Sequence, residues 1–255
     1  MFFINCIFDL FMRKKPFTVV YEDNHLLIVN KAAGILVQGD KTGDKTLTDY
    51  CKDYIADKYK KPGAVFLHPV HRLDRPVSGL VVFARTSKGL ERMMEIFRKR
   101  DIHKVYWAVV KNRPKEESGK LTHWLVKDEK KNTVTAFEKE VPDSQKAELT
   151  YKSLGKLNDH WLLEVRPVSG RPHQIRVQLA SMNCPIRGDV KYGFHKANPD
   201  ANINLHAFHL IFVHPIKKEK LYLRAALPEE PFWEQFLEFE PVKAKDQHLD
   251  NTFSG

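Results

Sequence analysis

The stretch HRLDRPVSGLVVFA, residues 71–84, runs from a charged segment bounded by Pro76 and Gly79 into five consecutive apolar residues, Leu80 to Ala84. An apolar run of that length without a polar interruption suits a strand buried on both faces. The polar residues before it then stand at the entrance to a core strand. Working outward, Thr86 or Ser87 reads as the N-cap of a helix whose Leu90, Met93, Met94 and Phe97 fall at i, i+3, i+4 and i+7, a core-packing stripe. Its last turn carries Arg98, Lys99 and Arg100, which suit the negative helix end.

On the N-terminal side, FTVVY (17–21) and HLLIV (25–29) read as two strands joined by the turn Glu22-Asp23-Asn24. Thr46 to Tyr59 reads as a helix ended by Lys61-Pro62-Gly63. Further strands are expected at Val105 to Val110, His123 to Val126, Thr133 to Phe137, Ala147 to Leu154, His160 to Val165, Leu205 to Val213 and Leu221 to Ala225, with a turn at Gly155 to Asp159. Pro172 fits the first position of a helix that Pro185 stops, and Phe232 to Phe239 reads as a short aromatic helix. Strands outnumber helices without regular alternation. The reading is therefore α+β, a mixed and largely antiparallel sheet.

The chain has 255 residues, with 42 Lys and Arg against 32 Asp and Glu, a net charge of +10 that favours a polyanionic partner. Cys6, Cys51 and Cys184 are odd in number and far apart, so they form neither a disulfide framework nor a zinc ribbon, and a reducing, cytoplasmic setting is expected. The apolar segment 1–12 contains Asp9, is too short for a bilayer and has its basic run on the wrong side for a secretory signal. Met12 is the expected native start. The expected organisation is an N-terminal extension over 1–16, a catalytic domain over 17–240 and a polar tail over 241–255.

Three segments place polar residues in apolar surroundings: HPVHRLDR (68–75), GRPHQIR (170–176) and LHAFH (205–209). Buried polar groups must be paired or used. In the first, Asp74 is the one acid among two histidines and two arginines. A carboxylate beside arginine stays ionised, which suits a nucleophilic or electrostatic role. A rival reading takes His68, His71 and Asp74 with His206 and His209 as metal ligands for phosphoester hydrolysis. Arg72, Arg75 and Arg176 would repel a divalent ion there.

The order and content of these segments resemble the large-subunit-rRNA branch of pseudouridine synthases over Phe17 to Leu227. HRLDRPVSG (71–79) is similar to the family's catalytic signature, EDNHLLIVNKAAGILV (22–37) to its first motif, and KVYWA (104–108) to its tyrosine-bearing strand. RPVSGRPHQIR (166–176), PIRGD (185–189), Tyr192-Gly193, LHA (205–207) and His214-Pro215 resemble the remaining motifs in order. Val77 and Ser169 stand where threonine is usual, Ala32 where proline is usual, and Gln178 where histidine is common. These departures bear on substrate preference.

The resemblance implies isomerisation of uridine to pseudouridine without a cofactor or metal, in structured RNA, ribosomal or transfer, with no membrane and no protein partner. It implies Asp74 as the catalytic carboxylate, Arg176 as its partner and Tyr106 as the wall on which the extruded uracil stacks. Arg72 would enter the vacated place in the RNA or bind its phosphate. His71, Arg75, Arg171, His173 and Gln174 would line the substrate cleft, His173 and Gln174 as hydrogen-bonded scaffold. With sixteen residues before Phe17, target recognition is expected from the catalytic domain itself. A non-catalytic RNA-binding module is the other alternative. It would tolerate loss of Asp74 and Tyr106, and both are present.

Overall fold

The computed structural model describes residues 15–40 and 42–239. The expectations about Met12 and about the tail after Pro241 lie outside the described residues.

Strands β1 (Phe17–Glu22) and β2 (Leu26–Lys31) meet at Asp23, whose Oδ1 accepts from the backbone N–H of His25 and Leu26, both at 2.8 Å. Helix α1 (Leu47–Tyr59) begins in a capping box: Thr46 Oγ1 accepts from Asp49 N at 3.2 Å and Asp49 Oδ2 accepts from Thr46 N at 2.9 Å. Helix α2 (Ser87–Lys99) is capped by Thr86, which accepts from Gly89 N at 3.1 Å. The strands β3 (His68–Pro69), β4 (Ser78–Ala84), β5 (Ile102–Val110), β6 (Ser118–Asp128), β7 (Thr133–Phe137), β8 (Gln145–Leu157), β9 (His160–Pro167), β10 (Leu205–Val213) and β11 (Lys220–Arg224) complete the sheet. Helices α3 (Gln174–Ser181) and α4 (Pro231–Glu234) complete the helical elements.

The eleven strands of the described residues join one sheet in the order β1-β2-β4-β10-β5-β9-β8-β6-β7, with β3 on β4 and β11 on β10. Among the described strands only β4 and β10 pair in parallel, through His206 with Ser78 and Ala207 with Gly79. Gly79 has φ +115°, and a Cβ there would lie 2.3 Å from the carbonyl oxygen of Ala207. The close approach and the backbone angle together demand glycine. This junction sets the 71–77 loop against β10, and the antiparallel register then puts Tyr106 of β5 opposite Ala207 and Val165.

The apolar runs of β2 and β4 are buried on both faces, as their composition requires. Leu27, Val29, Val81 and Phe83 pack beneath α1 and α3, while Leu26, Ile28, Leu80, Val82 and Met93 form a second layer beneath α2. A third layer gathers Trp107, Phe208, Trp233 and Phe236. No helix among the described residues is long and apolar enough to cross a membrane.

The structure corrects four local expectations. Met94 is 51% exposed, so the packed stripe of α2 excludes it. Helix α3 starts at Gln174, not Pro172, because His173 adopts left-handed φ 51° and the Gln174 side chain ties the preceding turn by accepting from Arg171 N. The β8–β9 turn contracts to Asn158-Asp159, and Gly155 sits within β8 at a register shift. The aromatic C-terminal helix is two short pieces, α4 and a separate 3-10 turn at Leu237–Phe239.

Glu22 ties β1 to α1 and to Arg85, just past the end of β4. Its carboxylate accepts from Tyr54 and Lys58 at 2.8 and 2.7 Å, from Tyr59 at 2.6 Å and from Arg85 at 3.0 Å. Burial works to raise its pKa, but the bonds from Lys58, Tyr59 and Tyr54 outweigh it and hold it below the ordinary value. Asp23 is likewise lowered, to about 2, against the opposing effect of burial, by the N–H groups of His25 and Leu26 and by Lys217. Groups with depressed folded pKa stabilise the fold above their unfolded pKa and lose that contribution as pH falls through the folded one. The melting temperature should therefore decline between roughly pH 5 and pH 2. Glu22→Gln should cost about 1–3 kcal/mol at pH 7 and flatten part of that acid limb. Thermal melts across this range check it, and an unchanged acid slope would remove Glu22 from the account.

Candidate active site

The 71–77 loop is fixed on both sides before any side chain is considered. Gly34 N donates to Arg75 O at 2.8 Å and Ile203 N to Pro76 O at 3.2 Å. Beneath it Lys31, 1% exposed, donates to the carbonyls of Ala32 and Ile35, both at 2.9 Å, and of Arg75 at 3.3 Å. Burial draws the pKa of Lys31 down to about 7, with Asp74 opposing and Arg75 adding to the fall. Its three carbonyl contacts join the first motif's loop to the loop that carries Asp74.

Asp74 opens onto a cavity of about 100 Å³ between this loop, β5 and the start of α3. Its Oδ2 accepts from Arg176 Nη1 at 2.9 Å. The same guanidinium grips Asp189 through Nε and Nη2 at 2.7 and 2.9 Å and lies 5.0 Å from the ring centroid of Tyr192. Burial alone would lower the pKa of Arg176. The bonds to Asp189 and the charge of Asp74 outweigh it and hold it above its ordinary value. A buried, bidentate partner on one edge leaves the other edge of the arginine aimed at Asp74, so the carboxylate that opens onto the cavity is positioned by a second, concealed one.

Tyr106 forms the adjacent wall, its phenol pushed up by burial and further by Asp74, so it is neutral at physiological pH. His173 stands with Nε2 3.9 Å from Asp74 Oδ2, while its Nδ1 is 2.6 Å from the Tyr192 hydroxyl. That hydroxyl accepts from Val134 N at 2.9 Å. Its own proton is thus available to Nδ1, which would leave the Nε2 proton facing Asp74. Burial lowers the His173 pKa, opposed by Asp74, which favours the neutral ring.

The remaining expected site residues divide by position. Arg72 and Arg171 line the cavity, and Arg72 is exposed at its mouth. Gln174 also borders it, but its amide is engaged by Ser169, Arg171 N and Glu148 O, which is scaffolding. Arg75 points away, pairing with Asp44 at 2.8 Å and donating to Gly34 O. His71 lies outside the cavity wall, stacked 5.0 Å from Phe97 and accepting from Val82 N at 3.2 Å, with its pKa lowered to about 3 by burial. Among the described residues no group of three or more His, Cys, Asp or Glu converges as a metal site. His206 bonds Ser78 at 2.8 Å instead of approaching Asp74.

Reading from sequence assigned no role to Lys31, Lys104, Asp189 or Tyr192. Lys31 announces itself only as a lone cation closing an apolar strand, and Asp189 as an acid following the Gly188 turn.

Residues 25–181 match the family model described as RNA pseudouridylate synthase. A tRNA pseudouridine synthase C of Vibrio parahaemolyticus is 32% identical over 87% of this chain and 94% of its own length. A ribosomal large subunit pseudouridine synthase C of Vibrio cholerae is also 32% identical, over 82% of this chain and 65% of its own. The structure of human RNA pseudouridylate synthase domain-containing 4 superposes with a TM-score of 0.71 at 25% identity, covering 94% of this chain and 97% of that one. The sheet, the cavity and these matches agree, and the chain belongs to the RNA pseudouridylate synthase family.

Proposed function

We propose that the chain isomerises specific uridines of transfer RNA, with Asp74 as the catalytic carboxylate. The observation that carries this is the Asp74–Arg176–Asp189 chain: one carboxylate open to a cavity, fixed by an arginine whose other edge is locked out of sight. Transfer RNA is favoured over ribosomal RNA because the relative named for tRNA is matched over 94% of its length and the one named for the ribosomal large subunit over 65%.

In this reading a uridine leaves its stack and enters the cavity against Tyr106. Stacking on the neutral ring holds the base flat. Asp74 serves the cleavage of the bond between uracil N1 and the sugar. The base turns within the cavity, C5 bonds to the sugar in place of N1, the hydrogen displaced from C5 leaves as a proton, and N1, which kept the electron pair of the broken bond, takes up a proton. Donors and acceptors balance without oxidant, reductant or energy source. Arg72, exposed at the mouth, fills the place the base leaves or meets the RNA backbone. The setting is cytoplasmic.

The test is tritium release from RNA labelled at uracil C5, with transfer and ribosomal RNA taken from cells lacking this gene. Release from transfer RNA alone supports the proposal. Release from ribosomal RNA alone moves the substrate, and release from neither overturns the reading.

A further inference from the structure

Among the described residues the cavity wall carries Arg72, Lys104, Arg171 and Arg176 against the single acid Asp74. Arg176 is matched by Asp74 and Asp189, which leaves an excess of cations facing the cavity. Lys104 is half-buried in that wall. Its Nζ donates to the carbonyl of Ser169 at 3.3 Å and lies over bare backbone at Gly170, where an added Cβ would be 3.9 Å away. Burial, and then the like charge of Arg100, draw its pKa down to about 8, and no acid among the described residues opposes them. A desolvated ammonium without a counter-charge is costly to hold, and the cost is recovered when an anion arrives. Lys104 and Tyr106 stand two residues apart on β5, so their side chains share a face and are about 7 Å apart along the strand. A base resting on Tyr106 has its sugar and phosphate to one side, and the Lys104 ammonium is one step along the wall.

We infer that Lys104, with Arg171 beyond Gly170, forms a phosphate site that receives the RNA phosphate adjoining the bound uridine. The inference rests on the proposed function, since it takes the base to lie on Tyr106. The site binds and aligns; it takes no part in bond making. One phosphate contact should appear as one counterion released, a term read directly from the salt dependence of affinity.

The experiment compares wild type with Lys104→Gln and Lys104→Arg, using total transfer RNA from cells lacking the gene. The glutamine amide can keep the bond to Ser169 O while removing the charge. For Lys104→Gln the slope of log affinity against log salt should shrink by about one, and KM in the tritium assay should rise about tenfold with kcat within about twofold. Lys104→Arg should restore both. An unchanged slope, a fall in kcat at constant KM, failure of arginine to rescue, or a Lys104→Gln protein that no longer melts cooperatively would each overturn the site. Because the slope is a binding measurement, it is read separately from release by the wild type, and absent wild-type release counts against the proposed reaction instead.

Discussion

Asp74→Asn is expected to abolish tritium release, by about a thousandfold or more, while leaving the protein folded and bound to RNA. The amide is isosteric and its oxygen can still accept from Arg176 Nη1, the contact that Asp74 makes at 2.9 Å. What disappears is the charge and the basicity of the acid in the cavity wall. Losing a group that acts on the reacting atoms typically costs two to four orders of magnitude, and more where it forms a bond. Affinity should hold or tighten slightly, since a negative charge has been taken from a pocket that meets a polyanion. The melting temperature should stay within a few degrees of wild type, because the Asp74 side chain is 27% exposed and holds a single bond to Arg176. Release within tenfold of wild type would defeat the assignment. Loss of RNA binding together with activity would recast Asp74 as a structural residue.

The parts of this site legible in the sequence are those whose meaning is local. The apolar run Leu80 to Ala84 forced a buried strand, so the polar loop before it had to sit at a core strand's end, and it does. Asp74 stood out as a lone acid among cations, and Tyr106 through a motif on a strand whose period is easily read. Legibility failed where a residue's environment is assembled from distant chain. His71 carries the polar character of its neighbours, yet packing against Phe97 twenty-six residues on takes its ring away from the cavity. Pro172 is a good first residue for a helix, but the Gln174 amide holds the 169–171 turn and delays the helix. Lys104 and Asp189 appear within quoted motifs without a stated task, because the one lacks and the other supplies a counter-charge that only the folded chain reveals.

Asp189 carries the second large effect, of a different kind. It is 1% exposed and grips Arg176 through both oxygens, so Asp189→Asn leaves a guanidinium that is 5% exposed with one carboxylate in place of two. Breaking a buried pair from one side costs about 3–5 kcal/mol, since the guanidinium loses a two-point partner that the single, partly exposed contact to Asp74 does not replace. For a chain of this size that is roughly a 10 °C fall in melting temperature. Activity should fall about a hundredfold as well, because the arginine loses the edge that aims it at Asp74. Arg176→Lys should lose activity in a similar way, as one ammonium cannot reproduce the fork between two acids. The contrast with Asp74→Asn is the sharp part of the expectation: one asparagine removes chemistry and spares stability, the other damages both. Adding Arg176→Met to Asp189→Asn should recover part of the lost stability, by removing a buried guanidinium that Asp74 alone compensates incompletely, while activity falls further. Calorimetry on the wild type, Asp74→Asn, Asp189→Asn and the double variant decides it. If Asp189→Asn melts with the wild type, the concealed carboxylate does not hold the arginine, and the orientation of Asp74 must come from the Lys31-bound loop alone.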